Sequence, residues 1–429
     1  MRPTYYILLL FCLLLCSCHN DTPNPDPVQP GSTLGRRTVL IYMAAQNSLK
    51  KNAAADSTEL MNGRQYLADN DRLLLFIDDD SLRAPRLYRI ARQWNEPHLV
   101  TTFDNDTCST SPHTLQTVLQ MVKDKFPAQE YGLTLWSHAD GWLPATNTDY
   151  NTPHPTIAAA PARPFSFGID TNYNKYDSDK GTQMNIADLA KAIQRTGLHF
   201  NYILFDACLM QNLEVDYALR HVTDYVVASP MSIPTAGANY TSQLRSGLFA
   251  ASPDSITRTY YNDVVSQYYT VYDEMGIVIS AVRTDQLDAL AAALKEALPY
   301  SALANGQSPD MSSVLNYQSY TWRYFYRPHN YDALQAFEQL LPEPYRTSVC
   351  QALERCVTSH YGTPSIYVGP NYTQYNTIPT ATDHYRAVSL FVPQTAYATN
   401  ADNCRYGNLN EAFQQTEWYT ACGMNATGW

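Results

Sequence analysis

The chain has 429 residues, 45% of them hydrophobic and 16% charged, and a formal net charge of −11. Such a length and composition suit a soluble globular protein with a large buried core in one or two domains. The acidic balance, with no cluster of Lys or Arg, excludes nucleic acid as a partner, because phosphate binding needs gathered cations. Tyrosine is frequent, with 33 residues, which suits contact surfaces for peptide or carbohydrate without choosing between them.

Residues 1–18 read as a targeting segment. A basic start at Met1-Arg2 precedes an apolar stretch over 5–15 that is too short to span a bilayer, and Leu15-Cys16-Ser17-Cys18 follows. The pattern resembles a bacterial lipoprotein signal, with Cys18 as the lipidated first residue of the mature protein; an ordinary secretory signal is the other reading. Acyl chains on Cys18 would anchor the protein at the cell envelope, on the periplasmic face or cell surface, and this anchor would be its only membrane contact. Residues 19–35 hold four prolines and almost nothing apolar. They cannot build a core and read as a linker that holds the folded part off the membrane.

From there the spacing predicts a strand over 38–43, a helix over 50–67 and a strand over 72–77 that runs into Asp78-Asp79-Asp80. Three adjacent acids at a strand end are a calcium or magnesium candidate, with solvated turn acids as the alternative. Short strands over 86–90 and 98–103 form a meander. An amphipathic helix over 114–126, with Leu115, Val118, Leu119 and Val122 on one face, then leads to the next strand in β-α-β order.

That strand, Leu133-Thr134-Leu135-Trp136, ends at Ser137-His138 and opens into Ala139-Asp140-Gly141-Trp142. After a long proline- and alanine-rich stretch over 143–164 come a strand over 165–169 and a helix over 185–196. Tyr202-Ile203-Leu204-Phe205 then runs into Asp206-Ala207-Cys208, beyond which apolar positions 209, 210, 213 and 217 recur at helical spacing. A thiol at the carboxyl end of a strand and the start of a helix faces the helix's positive end, which favours thiolate. Cysteine catalysis needs a base near the sulfur in space, not in sequence. Two strands ending in His138 and Cys208 would supply it. Taken singly, each residue has a plainer reading, as a packed core histidine and a buried structural thiol.

The blocks Val39-Leu40-Ile41-Tyr42-Met43-Ala44-Ala45-Gln46-Asn47-Ser48-Leu49, Leu135-Trp136-Ser137-His138 through Gly141-Trp142, and Phe205-Asp206-Ala207-Cys208-Leu209-Met210 resemble, in order, the signature segments of the clostripain family of cysteine peptidases. The likeness also touches Ser229-Pro230 through Tyr240 and, more faintly, the strand over 387–393. The resemblance implies a caspase-like α/β fold and a His138/Cys208 dyad that cleaves peptide bonds, typically after basic residues, with no cofactor required. It also implies that Asp206 sits at the base of the pocket for the side chain preceding the cut bond. In the family the interval between the His138 and Cys208 segments can contain a basic residue at which the precursor cuts itself, for which Arg163, Lys175 and Lys180 are the candidates. Two departures stand out. Met231-Ser232 and Ala238-Asn239-Tyr240 replace positions where relatives tend to carry acids, so Ser232 and Asn239 become the pocket candidates beside Asp206 and basic specificity weakens. Ala139 replaces a common glycine; its backbone N–H serves equally well, so the amides of Ala139 and Cys208 are the expected oxyanion donors.

A strand over 225–229 follows the Cys208 segment. The remainder is expected to be mainly helical, with a strand over 276–282, helices over 285–298, 331–341 and 345–360, a strand over 387–393 and a helix over 409–418. Cys404 and Cys422 could pair in an oxidising compartment, and no zinc-ligand spacing is present. The expectation is therefore a signal over 1–18, a linker over 19–35, a caspase-like peptidase domain over 36–283 with a mostly parallel sheet flanked by helices, and a mainly helical part over 284–429. The function expected is that of a cysteine endopeptidase acting on peptide or protein substrates. The alternative is a weak or inactive surface-anchored lipoprotein that binds peptide or glycan.

Overall fold

Seven consecutive side chains, Val39 through Ala45, are buried to within 1%, as expected of a strand covered on both faces at the centre of a parallel sheet. A computed structural model describes residues 34–429 except 81, 106, 146–147, 149–165, 172–180, 267–275, 323–324, 369–374, 379–383 and 398–407. Cys18, most of the proline-rich linker and the processing candidates Arg163, Lys175 and Lys180 thus lie outside the described residues.

The chain runs β1 (Gly35–Ala44), α1 (Lys50–Gly63), β2 (Asp71–Asp78), β3 (Arg86–Ile90), β4 (His98–Thr102), α2 (Pro112–Lys125), β5 (Ala128–Trp136), β6 (Phe167–Asp170), β7 (Thr182–Met184) and α3 (Ile186–Thr196). It continues through β8 (Tyr202–Asp206), α4 (Leu213–Leu219), β9 (Tyr225–Ala228), α5 (Tyr240–Ser246), α6 (Asp254–Val264), β10 (Val278–Arg283) and α7 (Leu287–Ala297). The last part holds β11 (Asn316–Trp322), β12 (Phe325–Asp332), α8 (Ala333–Leu340), α9 (Tyr345–Cys356), β13 (Val357–Gly362), β14 (Ser365–Tyr367), β15 (Tyr375–Thr377), β16 (Ser389–Leu390), α10 (Leu409–Gln414) and α11 (Glu417–Ala421).

Among the described residues nine strands form one mixed sheet in the order β13-β10-β9-β8-β5-β1-β2-β3-β4. Its middle, from β9 through β2, is parallel, and antiparallel strands extend both edges. Val39, Ile41 and Met43 of β1 pack with Ala53 and Leu60 of α1, Leu244 of α5 and Ile256 and Tyr260 of α6. Side chains alternate along a strand, so Tyr42 faces the other way, stacks on Phe76 at 4.4 Å and donates to the Ser109 carbonyl just before α2. Chain order reverses between β1 and β5: β2 pairs on one side of β1, and β5, β8 and β9 build outward on the other. In open α/β sheets the carboxyl-end crevice at such a reversal is where ligands bind.

The expected fold class is the one observed, with differences of detail beyond residue 283. The helix read as 345–360 stops at Cys356, and the β-branched and aromatic residues after it form β13, which pairs antiparallel with β10 and closes the sheet edge. Tyr331, read as helical, lies on β12 of a hairpin, and α8 starts only where the Asp332 side chain accepts from the Gln335 N–H. The strand read over 387–393 shrinks to β16, which pairs with β12 and bridges Asn212 through Ser389. The helix read over 409–418 breaks in two, with Thr416 capping α11. Cys422 is a buried free thiol, pushed up to about 12 by burial, while its expected partner Cys404 lies outside the described residues.

Candidate active site

β5 delivers His138 through a short polar stitch. Ser137 is buried, donates from Oγ to the Ala44 carbonyl at 2.7 Å and accepts from the Ile169 N–H at 3.2 Å. Asn47, on the turn after β1, donates from Nδ2 to the carbonyls of Ala44 and Ile169, both at 2.9 Å, and accepts the Leu49 N–H on Oδ1 at 2.9 Å. The ends of β1, β5 and β6 are thereby tied together one residue short of the imidazole. His138 itself is half-buried, with Nε2 2.9 Å from the Ser48 hydroxyl. Its carbonyl accepts from Gly168 N–H at 2.9 Å, and Asp140 N–H donates to the Ser166 carbonyl at 3.1 Å. Those two bonds bracket Ala139, which lies opposite Phe167. In a bracketed antiparallel pair of this kind the central N–H turns away from the partner strand, so the Ala139 amide faces away from β6.

β8 runs parallel to β5 in a register that pairs Trp136 with Asp206. His138 and Cys208 each stand two residues beyond that pair, on strands that neighbour at about 4.8 Å. Past Cys208 the chain does not enter a helix at once. Leu209 takes φ 65°, a region costly for a side chain with a Cβ, and its N–H donates to the Met231 carbonyl at 3.0 Å. The Gln211 N–H donates to the Ser229 carbonyl, also at 3.0 Å, and Asn212 Nδ2 holds the Leu209 carbonyl at 2.6 Å. Asn212 then caps α4 by accepting from the Val215 N–H.

That arrangement corrects one expectation. Helix α4 begins at Leu213, and a helix dipole fades within its first turn, so it does not make a thiolate of Cys208. Burial, with Asp140 adding repulsion, pushes the thiol up to about 11, against the Ile233 N–H and the Ser232 hydroxyl that favour the anion. Cys208 is half-buried as a residue, and its sulfur accepts from Ile233 N–H at 3.4 Å.

The two loops meet at Gly141. It has φ 71°, and a Cβ there would lie 2.6 Å from the Leu209 carbonyl oxygen and 2.7 Å from Asn212 Nδ2. Only glycine lets the histidine loop lie this close to the cysteine loop.

Of the substrate-pocket candidates, Asp206 is 3% exposed. It accepts from the hydroxyls of Tyr260 at 2.8 Å and Tyr240 at 2.9 Å and from the Ala238 N–H. Burial raises its carboxyl above the ordinary range, against those three donors. Through these bonds Asp206 ties β8 to α5, α6 and the loop before them. Beneath it Asp56, pushed up to about 9 by burial and by Asp206 and Glu59, accepts from Trp136 Nε1 at 2.8 Å. Ser232 is half-buried beside the sulfur and meets Gln318 Oε1 at 3.4 Å. Asn239 caps α5, accepting from Ser242 N–H and donating to Glu59.

The three acids at the end of β2 do not converge. Asp78 is buried against Gln46 and Asp170, Asp79 pairs with Arg83 and Arg86, and Asp80 with Lys50. Among the described residues no group of three or more His, Cys, Asp or Glu side chains is placed to hold a metal ion, and no helix is long and apolar enough to cross a membrane. Sequence reasoning gave no role to Ser48 or Asn212, and used Gly141 only as loop flexibility. The available signal was the polar run Gln46-Asn47-Ser48 directly after a wholly apolar strand.

The fold defines a caspase-like α/β protein, with a thiol and an imidazole following adjacent parallel strands. Residues 41–419 match the model of the clostripain family, Peptidase C11. The chain belongs to that family and is a cysteine-type peptidase. It is similar to a secreted C11 cysteine protease from Bacteroides thetaiotaomicron, solved in complex with an irreversible peptide inhibitor. That likeness has 27% identity and a TM-score of 0.72 and covers 91% of this chain and 100% of that one. An inactive zymogen C11 protease from Parabacteroides distasonis shows 25% identity and a TM-score of 0.68 over 91% and 99% of the two chains. A second secreted C11 protease from Bacteroides thetaiotaomicron, iotapain, at 20% identity and a TM-score of 0.71 over 91% and 100%, shares the fold. No curated protein matches the chain.

Proposed function

We propose that the chain is an endopeptidase in which Cys208 is the nucleophile and His138 carries the proton. The observation that supports this most directly is the shared β5–β8 register, which sets both residues two positions past Trp136 and Asp206. The sulfur loses its proton to the imidazole as it attacks the peptide carbonyl, and the amides of Ala139 and Cys208 receive the oxyanion. The imidazolium then protonates the departing amine, leaving a thioester on Cys208. Water, giving its proton to the imidazole, releases the acyl group and restores the thiol. Because burial pushes the resting thiol up to about 11, the thiolate in this reading forms by transfer to His138 during attack.

Asp206 is the proposed counter-ion for a Lys or Arg preceding the cut bond, with Ser232 and Asn239 on the wall. A mixed peptide library tests both levels of the reading. Cleavage by the native enzyme and none by Cys208→Ala is expected, and equal cleavage by that variant would end the proposal. Lys or Arg before the cut supports Asp206 as counter-ion; a neutral residue there assigns Asp206 to the scaffold alone.

We further propose attachment to the cell envelope through acyl chains on Cys18, with residues 19–35 as the spacer. Metabolic labelling with a fatty acid should mark the native protein and not Cys18→Ser. Label of equal strength in both would remove the anchor.

A further inference from the structure

We propose that Ser48 is a positioning residue of the reaction: its hydroxyl accepts from Nε2–H of His138 and leaves Nδ1 as the nitrogen that exchanges the proton with Cys208. This rests on the His138/Cys208 reading above. The contact is 2.9 Å; a hydroxyl can donate or accept there, and the proposed proton transfer through Nδ1 sets the direction. A neutral imidazole has one N–H and one lone pair. If Nε2 carries the hydrogen toward Ser48, the lone pair sits on Nδ1, ready for the thiol proton. Once the ring is charged, both nitrogens donate, and the Nε2–H···Oγ bond becomes charge-assisted and stronger. In this role Ser48 supports the tautomer that attack requires and stabilises the imidazolium afterwards.

The position of Ser48 is itself built. Its neighbour Asn47 is buried and bonds to β1 at Ala44, to β6 at Ile169 and, at 3.4 Å, to Ser137 Oγ. The turn after β1 is therefore joined to the segment after β5 at two consecutive levels, Asn47 with Ser137 and Ser48 with His138. These two turns flank the point where the sheet's chain order reverses. Ser48 is exposed, so its role is not to fill a core, and an added methyl would be tolerated.

Ser48→Ala should lower kcat about tenfold, the scale of one lost hydrogen bond to a charged group, with KM within about twofold. Loss of the bond disfavours the imidazolium, so the acid limb of kcat/KM should move to lower pH, by up to about one unit. Ser48→Thr should restore both. In nitrogen-15 NMR of the ring, the native protein should carry its hydrogen on Nε2, and Ser48→Ala should mix the tautomers. An unchanged kcat and acid limb in Ser48→Ala, or a native ring protonated on Nδ1, would overturn the assignment of Ser48 while Cys208→Ala and His138→Ala remain inactive. If His138→Ala keeps native activity, the dyad reading itself falls.

Discussion

His138→Ala is expected to reduce kcat/KM by about a thousandfold or more at neutral pH. Burial and the Asp140 charge hold Cys208 near 11, so at pH 7 only about one molecule in ten thousand would carry a thiolate without help. A positioned base is worth about 10²–10⁴, which is the range this deficit requires. Without an imidazole to take the proton, the residual rate should climb about tenfold per pH unit toward 11, as free thiolate accumulates, whereas the native rate should level off well below that. Alkylation by iodoacetamide should follow the same course, because a thiol is reactive only as thiolate. A His138→Ala enzyme within tenfold of native activity, or one whose rate is flat above pH 8, would show that Cys208 draws its reactivity from elsewhere.

The second large effect is expected at Gly141→Ala, which changes no polar group. The new methyl would meet the Leu209 carbonyl oxygen at 2.6 Å and the Asn212 amide at 2.7 Å, on a residue at φ 71°. Neither neighbour can yield cheaply: the carbonyl is backbone, and the amide holds it at 2.6 Å while the same side chain caps α4. The strain should cost about 2–3 kcal/mol of stability, from the left-handed backbone plus the overlap. Relief would come from parting the two loops, and a displacement near 1 Å of reacting groups costs about a hundredfold in rate. Thermal unfolding and kcat/KM check the two halves separately. A folded Gly141→Ala enzyme with native kcat/KM would mean that the apposition of the loops does not set the distance between sulfur and ring.

How much of this could be read without coordinates depends on whether the cause was local. Strand β1 was legible because seven buried apolar residues in a row have few other fates, and α3 because Ile186, Leu189 and Ile193 recur on one face. His138 and Cys208 were singled out by position, each at the polar end of an apolar run. By contrast, β13 follows α9 without a break, and only the open edge of β10 makes strand rather than helix of Val357-Thr358-Ser359-His360-Tyr361. Pairing partners are absent from a local pattern.

What the amino-acid order determined by itself was the α/β class, the two strands ending in imidazole and thiol, and through its ordered blocks the clostripain family. Tertiary structure alone decided the state of the thiol, because burial and the Asp140 carboxylate act across space and outweigh a helix that begins five residues too late. It also decided that Asp206 is engaged by two tyrosines from 34 and 54 residues away, and that Ser48 meets His138 from 90 residues upstream. Chain separation hides such contacts, since what unites them is the common carboxyl edge of a folded sheet.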